Sequence, residues 1–382
     1  MFSQIIYHPK LKPCYLLLAL YIRELNSIET YMHRCLELAQ LASGAVAPNP
    51  MVGSILVFND QIIGEGYHRE YGKEHAEVNC INSVKPERRH LISQSTLYVS
   101  LEPCAHFGKT PPCADLIIKH QIPKVIIGCR DPFMQVNGKG IEKLLAAEID
   151  VTTGVLEEAC KKLNKRFFTF HTEHRPYVIL KWAQTRDGKI AAASGSRILI
   201  SNEYSNRLVH QWRSEETAIV VGTNTALFDD PELSTRWWPG KNPIRVVVDI
   251  NLRLPKTLKL FNGQIPTIVF NLHRHNLPVE KISISEVKEV GVAYYQVTEG
   301  VSLVHQMLHA LYQMNIQSIL VEGGSYLLQS FVDEGMWDEA RVITNESLEI
   351  GDGLPAPVLK NHRLTKNELI SSNTICWYAK RS

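Results

Sequence analysis

The chain has little of what a membrane protein, a disulfide-knit domain or a nucleic-acid binder needs. Its longest apolar run, Cys14 to Ile22, is nine residues, short of the ~20 that span a bilayer. Lys10 and Lys12 precede the run as in a secretory leader, but Arg23 and Glu24 stand where a small-residue cleavage site belongs. Residues 1–28 therefore read as an N-terminal extension, helical or poorly ordered. Eight cysteines in 382 residues are too sparse for a disulfide framework, so a reducing, cytoplasmic setting is expected. An excess of one charge is also missing. Forty-one Lys and Arg face 39 Asp and Glu, a net charge of +2, which gives no electrostatic reason to expect nucleic acid or a membrane surface as partner. There is no internal repeat and no low-complexity tract.

What remains is ordinary globular material. Hydrophobic residues at 45% and charged residues at 21% exclude wholesale disorder, and the length suits two domains of about 150 residues or more. Met32, Cys35, Leu36, Ala39 and Ala42 recur at helical spacing, followed by a buried-strand pattern over 53–58. Helical patterns over 75–84, 113–120, 141–147 and 156–163 alternate with strand patterns over 96–100 and 124–128, which predicts an α/β domain with a mostly parallel sheet. After the polar stretch His171–Pro176 the same logic resumes, with strands expected over 177–182, 218–222, 245–249, 267–270 and 318–321. A boundary near 172/173 is expected, giving an extension over 1–28 and domains over 29–172 and 173–382.

The sharpest chemical signal is His75-Ala76-Glu77, then Pro103-Cys104, then Cys113. One imidazole and two thiolates are donors zinc favours, and three protein ligands leave a fourth position open for water. Glu77, two residues from His75, can move protons without ligating. Pro111 and Pro112 suit the first turn of a helix, so Cys113 is expected at a helix start, where the dipole favours thiolate. H-x-E followed by P-C and a second cysteine is the signature of zinc-dependent base deaminases, with eight residues here between the cysteines in place of two. That insertion carries His106 and Lys109, which suit an anionic or polar substrate and equally suit solvated loop charges.

The segments Ala47–Gly53, His75–Glu77 and above all PCAHFGKTPPC over 103–113 resemble the bifunctional riboflavin-biosynthesis deaminase–reductases. In the second half LKWAQTRDGKIA over 180–191, Asp229-Asp230-Pro231 and Val321–Gly324 carry the same resemblance, which begins near Tyr31. It implies a zinc cytidine-deaminase-like three-layer domain followed by a dihydrofolate-reductase-like α/β domain. It also implies two reactions: hydrolytic deamination of a diaminopyrimidinone ribosyl phosphate, then NADPH-dependent reduction of the ribosyl group to ribityl. His75, Cys104 and Cys113 match the zinc ligands, Glu77 the proton shuttle, and Asn49, His68, His106 and Lys109 the substrate contacts of the first reaction. For the second, Lys181 and Asp229 match the reductive centre. Ala183, Leu199, Thr225, Asp229, Gly323, Gly324 and Ser325 match cofactor contacts, and Arg213, Leu233, Arg236 and Glu322 match substrate contacts. The two arginines suit a 5′-phosphate through forked hydrogen bonds. Taken alone, Arg213 reads as an exposed helix charge, and the glycine pair reads as well as a plain strand–helix turn. The family implies a dimer or tetramer.

Departures from the family fall on the nucleotide side. Arg197 and Leu199 replace Ser and Trp, Ile250 follows Asp249 where Ser is usual, and Gly351–Gly353 only loosely matches a late glycine segment. Arg197 is a candidate contact for the NADPH 2′-phosphate. Two other readings compete: a deaminase whose second half is a non-catalytic nucleotide-binding or dimerisation module, and a nucleic-acid base deaminase. Charge balance and the absence of a basic stripe interleaved with aromatics argue against the last.

Overall fold

Two compact units build the protein, and the computed structural model describes residues 28–107, 111–134, 136–193, 198–277, 287 and 291–381. Lys109, Arg197 and the Cys14–Ile22 run lie outside the described residues. Contacts divide the chain between Asn164 and Lys165, with Ala47–Asn49 grouped with the second unit. The expected boundary at 172/173 thus falls eight residues late. The reason is charge pairing: in the helix Lys165–Glu173, Lys165 bonds Glu339 and Arg166 bonds Glu216, both partners belonging to the second unit.

The first unit is a five-stranded sheet in the order β2-β1-β3-β4-β5. Its strands are β1 (Gly53–Phe58), β2 (Gln61–Tyr67), β3 (Thr96–Leu101), β4 (Lys124–Cys129) and β5 (Asp150–Thr153). β1, β3 and β4 stand where their apolar runs placed them. The sheet is mixed and not mostly parallel, because β1 runs antiparallel to both neighbours while β3, β4 and β5 are parallel. Asn59 and Asp60, both left-handed, make the two-residue turn that folds β2 back on β1. The helix Ala76–Ser83 then carries the chain to β3 on the far side of β1.

The second unit is a nine-stranded sheet in the order β11-β10-β9-β8-β12-β6-β13-β16-β15. Its strands are β6 (Tyr177–Thr185), β8 (Ala218–Gly222), β9 (Ile244–Val248), β10 (Thr267–Asn271), β11 (Val292–Gln296), β12 (Ser318–Val321), β13 (Glu339–Asn345), β15 (His362–Ile370) and β16 (Asn373–Lys380). From β11 to β13 every pairing is parallel. Strands buried on both faces read as continuous apolar runs, as the sequence AIVVG does, whereas IRVVV is interrupted by Arg245. The final hairpin β15–β16 closes one edge antiparallel, and β7 (Lys189–Ala192) pairs with β14 (Gly353–Pro355) as a separate ribbon. Both units are mixed α/β, as the sequence implies. No described helix is long and apolar enough to cross a membrane.

Candidate active sites

In the first unit the three expected ligands meet. His75 caps the N-terminus of the helix Ala76–Ser83, Cys104 follows β3, and Cys113 opens the helix Cys113–Lys119. Their ligand atoms all lie within 4.8 Å of one another, with His75 Nδ1 3.3 Å from Cys113 Sγ and 3.6 Å from Cys104 Sγ. Two sulfurs and one nitrogen converging on a point fit a tetrahedral zinc site with one position open. The helix start works differently from the expectation for Cys113. Its backbone N–H donates to Cys104 Sγ at 3.3 Å, so the amide serves the neighbouring sulfur. Hydrogen bonding from Cys113 and then from His75 holds the Cys104 thiol down against its burial, whereas the Cys104 contact and burial push Cys113 up.

Glu77, in the first turn of the helix, is buried at 3% exposure beside these ligands. Burial raises its carboxyl despite the nearby His75, the direction a proton carrier near neutrality requires. His68 sets its ring edge against His75, centroids 5.4 Å apart, and its Nδ1 lies 3.0 Å from the Glu74 carbonyl. Burial keeps it neutral by lowering its affinity for a proton. His106 packs edge-on against Phe133, and its buried Nδ1 has no hydrogen-bond partner among the described residues.

One residue of this site was missed from sequence. Glu102, buried next to Pro103-Cys104, accepts four backbone N–H groups. Oε2 takes Asp131 and Gly138 at 3.3 and 3.0 Å, and Oε1 takes Gly140 and Ile141 at 3.0 and 3.3 Å. Residues 131 and 138–141 are thereby wrapped onto the cysteine loop so closely that a Cβ on Gly140 would stand 1.9 Å from the Pro103 carbonyl. Only a charge at the end of the apolar strand TLYVSL hinted at it. Replacing Glu102 by Ala leaves those amides without their acceptor. We expect a stability loss of about 3 kcal/mol or more and faster zinc loss to a chelator, read by denaturant unfolding and metal analysis.

In the second unit a cavity of 910 Å³ collects every residue matched to the reductase. Lys181 and Ala183 reach it from β6, Thr225 and Asp229 from the helix Thr223–Asp229 after β8, and Glu322–Ser325 from the turn after β12. Leu199, Arg213, Leu233 and Arg236 complete its wall. Since β8, β12 and β6 are parallel neighbours, the site lies toward their carboxyl ends, where open α/β sheets bind ligands. Gly323 passes so near Thr225 that a Cβ there would meet Thr225 Cγ2 at 2.7 Å, and Gly324 is left-handed. The two glycines thus let the turn lie flat on the Thr223–Asp229 helix. Ser325 Oγ donates to the Pro355 carbonyl at 2.9 Å.

The charges at the centre are buried and paired. Arg213 Nε and Nη2 donate to Glu322 at 2.8 and 2.7 Å, and Nη1 donates to the Ser234 carbonyl at 3.2 Å. Lys181 Nζ lies 3.8 Å from the same carboxylate. Burial alone would raise Glu322, but Arg213 and Lys181 hold it at about 2; burial lowers Lys181. This corrects two expectations. Arg213 is no exposed helix charge, its side chain being 12% exposed, and its Nε and Nη2 close on Glu322 at the cavity wall rather than standing free for a phosphate fork. Arg236 is half-exposed over the Trp237 ring at 5.0 Å and contacts Glu232 at 3.8 Å. His210, Trp237 and Lys259 also line the cavity and were not singled out from sequence. His210, pushed down to about 4 by burial and the nearby Arg213, tucks against Trp237 at 4.9 Å.

Comparison with known proteins matches both halves. Residues 25–129 match the family described as cytidine and deoxycytidylate deaminase zinc-binding region, and residues 176–375 match the RibD C-terminal domain. The riboflavin biosynthesis protein RibD of Aquifex aeolicus is 41% identical over 338 residues, covering 87% of this chain and 91% of that protein. Its counterpart from Actinobacillus pleuropneumoniae is 37% identical over 344 residues, covering 87% and 89%. Among solved structures, the Thermotoga maritima diaminohydroxyphosphoribosylaminopyrimidine deaminase/5-amino-6-(5-phosphoribosylamino)uracil reductase superposes with a TM-score of 0.82 at 35% identity, over 94% of this chain and 99% of that one. Acinetobacter baumannii RibD gives 0.83 at 30% identity, over 94% and 100%.

Proposed function

We propose, from the premise that this chain belongs to the RibD family of riboflavin-biosynthesis deaminase–reductases, that it takes a diaminopyrimidinone ribosyl phosphate through two consecutive steps. It is a bifunctional enzyme, a deaminase in its first half and a reductase in its second. The observation carrying the fuller reading is the convergence of His75, Cys104 and Cys113 beside buried Glu77, in one chain with a cavity that gathers the reductase residues.

For the first step His75, Cys104 and Cys113 hold zinc, which when bound supplies a water acidic enough to attack at neutral pH. Glu77 takes one proton from the attacking water and passes it to the ring nitrogen, then takes the second proton from the added hydroxyl and passes it to the amino group, which leaves as ammonia. His68, buried, and His106, whose buried Nδ1 has no partner among the described residues, orient the pyrimidine and its ribosyl phosphate, together with Asn49 and Lys109.

For the second step NADPH supplies the hydride. Ala183, Leu199, Thr225 and the Gly323–Ser325 turn hold the nucleotide, the close-packed turn letting backbone approach a phosphate. Lys181, whose ammonium burial destabilises, supplies the proton that reduction of the ribosyl group also requires, with Asp229 beside the reacting carbons. Glu322 holds Lys181 in place and is itself held by Arg213. Leu233 packs against the substrate, and the 5′-phosphate falls to half-exposed Arg236. The protein assembles as a dimer or tetramer, which light scattering of the purified chain measures.

The test is a product assay with the diaminopyrimidinone ribosyl phosphate, with and without NADPH, resolved by mass. Deaminated product is expected in both arms and reduced product only with NADPH. Deamination that stops there favours a non-catalytic second half, and no reaction in zinc-replete protein overturns the reading.

A further inference from the structure

Arg245 sits on β9, an interior strand of the nine-stranded sheet, with no exposed surface at all. A buried guanidinium normally faces a carboxylate, since an unpaired charge in the interior is costly. This one does not. Nε donates to the Glu232 carbonyl at 2.9 Å, and Nη1 donates to the Lys259 carbonyl and to Asn262 Oδ1, both at 3.1 Å. Nη2 has no partner among the described residues.

The acceptors come from two separate segments, and both segments line the reductase cavity: Asp229–Leu233 with Arg236 and Trp237 on one side, Lys259 on the other. The first segment belongs to no helix or strand beyond Asp229, and it turns through left-handed Asp230 and Leu233, at φ 39° and 53°. Such conformations hold in non-glycine residues only where the surroundings over-determine them. A second tie runs parallel to the first: the Lys259 N–H donates to Asp230 Oδ1 at 2.8 Å. The sheet reaches this wall through Arg245, whose planar fork matches several acceptors at once.

We infer that Arg245 is a positioning residue of the reductase site, fixing the Asp230–Arg236 segment against Lys259 so that the substrate wall is formed before any ligand arrives. The inference rests on the reductase reading above. Arg245 touches neither substrate nor cofactor; it acts through Glu232, Lys259 and Asn262. Lysine keeps the charge but cannot reach two segments with one ammonium.

The experiment compares Arg245→Lys with Val246→Ala, a cavity-forming change at the next, fully buried position of the same strand. Tryptophan fluorescence gives the stability of each. For Arg245→Lys we expect KM for the deaminated ribosyl phosphate to rise about tenfold, with kcat changed by less than about threefold, since a small misplacement of a binding wall has effects of this order. Val246→Ala, destabilised to a similar degree, should leave KM within about twofold. Hydrogen exchange should show the Thr235 and Arg236 amides opening faster in Arg245→Lys than in Val246→Ala. Unchanged KM in Arg245→Lys, or an equal rise in Val246→Ala, overturns the inference. If the wild-type enzyme reduces nothing, the functional reading fails by itself and the exchange data decide: selective opening supports the clamp, and its absence removes it.

Discussion

Replacing Glu77 by Gln is expected to lower the deamination rate by ~10²–10⁴-fold, the range for removing a positioned acid–base group, while zinc content stays at the wild-type level. The side chain is the same size and sits at 3% exposure beside the ligands, so packing barely changes. The amide lacks the one property the carboxyl has there, the ability to take a proton and give it back. Burial, acting against the attraction of His75, raises the carboxyl. A raised carboxyl holds a transferred proton more firmly than an exposed glutamate does. Metal analysis of the purified variant beside single-turnover deamination separates the outcomes. Full activity removes Glu77 from the chemistry, and lost zinc makes it a structural support of the metal. Reduction of pre-formed deaminated substrate should continue at the wild-type rate, because the second half keeps its own site.

The second large effect concerns Glu322. Its carboxylate is the counter-charge of both Arg213 and Lys181, at 2.7 and 3.8 Å. Glu322→Gln leaves two cations in the interior without an anion, a change that typically costs about 3–5 kcal/mol. All six tryptophans lie in the second unit, so their fluorescence in a urea titration follows that unit alone. We expect its midpoint to fall sharply and reduction to be lost, with zinc and deamination intact. The same pair sets a pH dependence. The folded-state carboxyl lies at about 2, below its ordinary value of 4.5. Its contribution is therefore complete above the ordinary value and is lost as pH falls from there toward 2. Glu339, also held at about 2 by Arg341 and Lys165 against its burial, adds in the same window. The wild-type second unit should lose stability over that acid range, and Glu322→Gln should show a shallower slope.

Much of the architecture was legible because apolar runs declare buried strands. GSILVF, AIVVG and SILV became β1, β8 and β12 with the expected bounds. Three of the strands that escaped notice, β13, β15 and β2, lack such runs for identifiable reasons. In β13 the charges Glu339 and Arg341 interrupt the pattern, yet both are buried, bonded to each other at 2.6 Å, with Arg341 also over the Trp212 ring. β15 lies at the sheet edge with most of its side chains in solvent, so no burial pattern marks it. β2 was announced only by the short Asn59-Asp60 turn.

What the sequence determined by itself was chemistry that depends on residue type: a histidine and two cysteines able to hold zinc, a glutamate beside them, and a set of charges matching a reductase. Side-chain identity and spacing name the donor types there, and the fold brings them together. The tertiary structure alone decided how those groups are shared. The amide of Cys113 goes to Cys104, the fork of Arg213 closes on Glu322, Glu102 gathers four amides behind the cysteine loop, and Arg245 ties two cavity-lining segments to the sheet. Each partnership joins residues distant along the chain, and hydrogen bonds act over about 3 Å. Strand order and register set which distant residues come within that range, and neither is written in any single segment of the sequence.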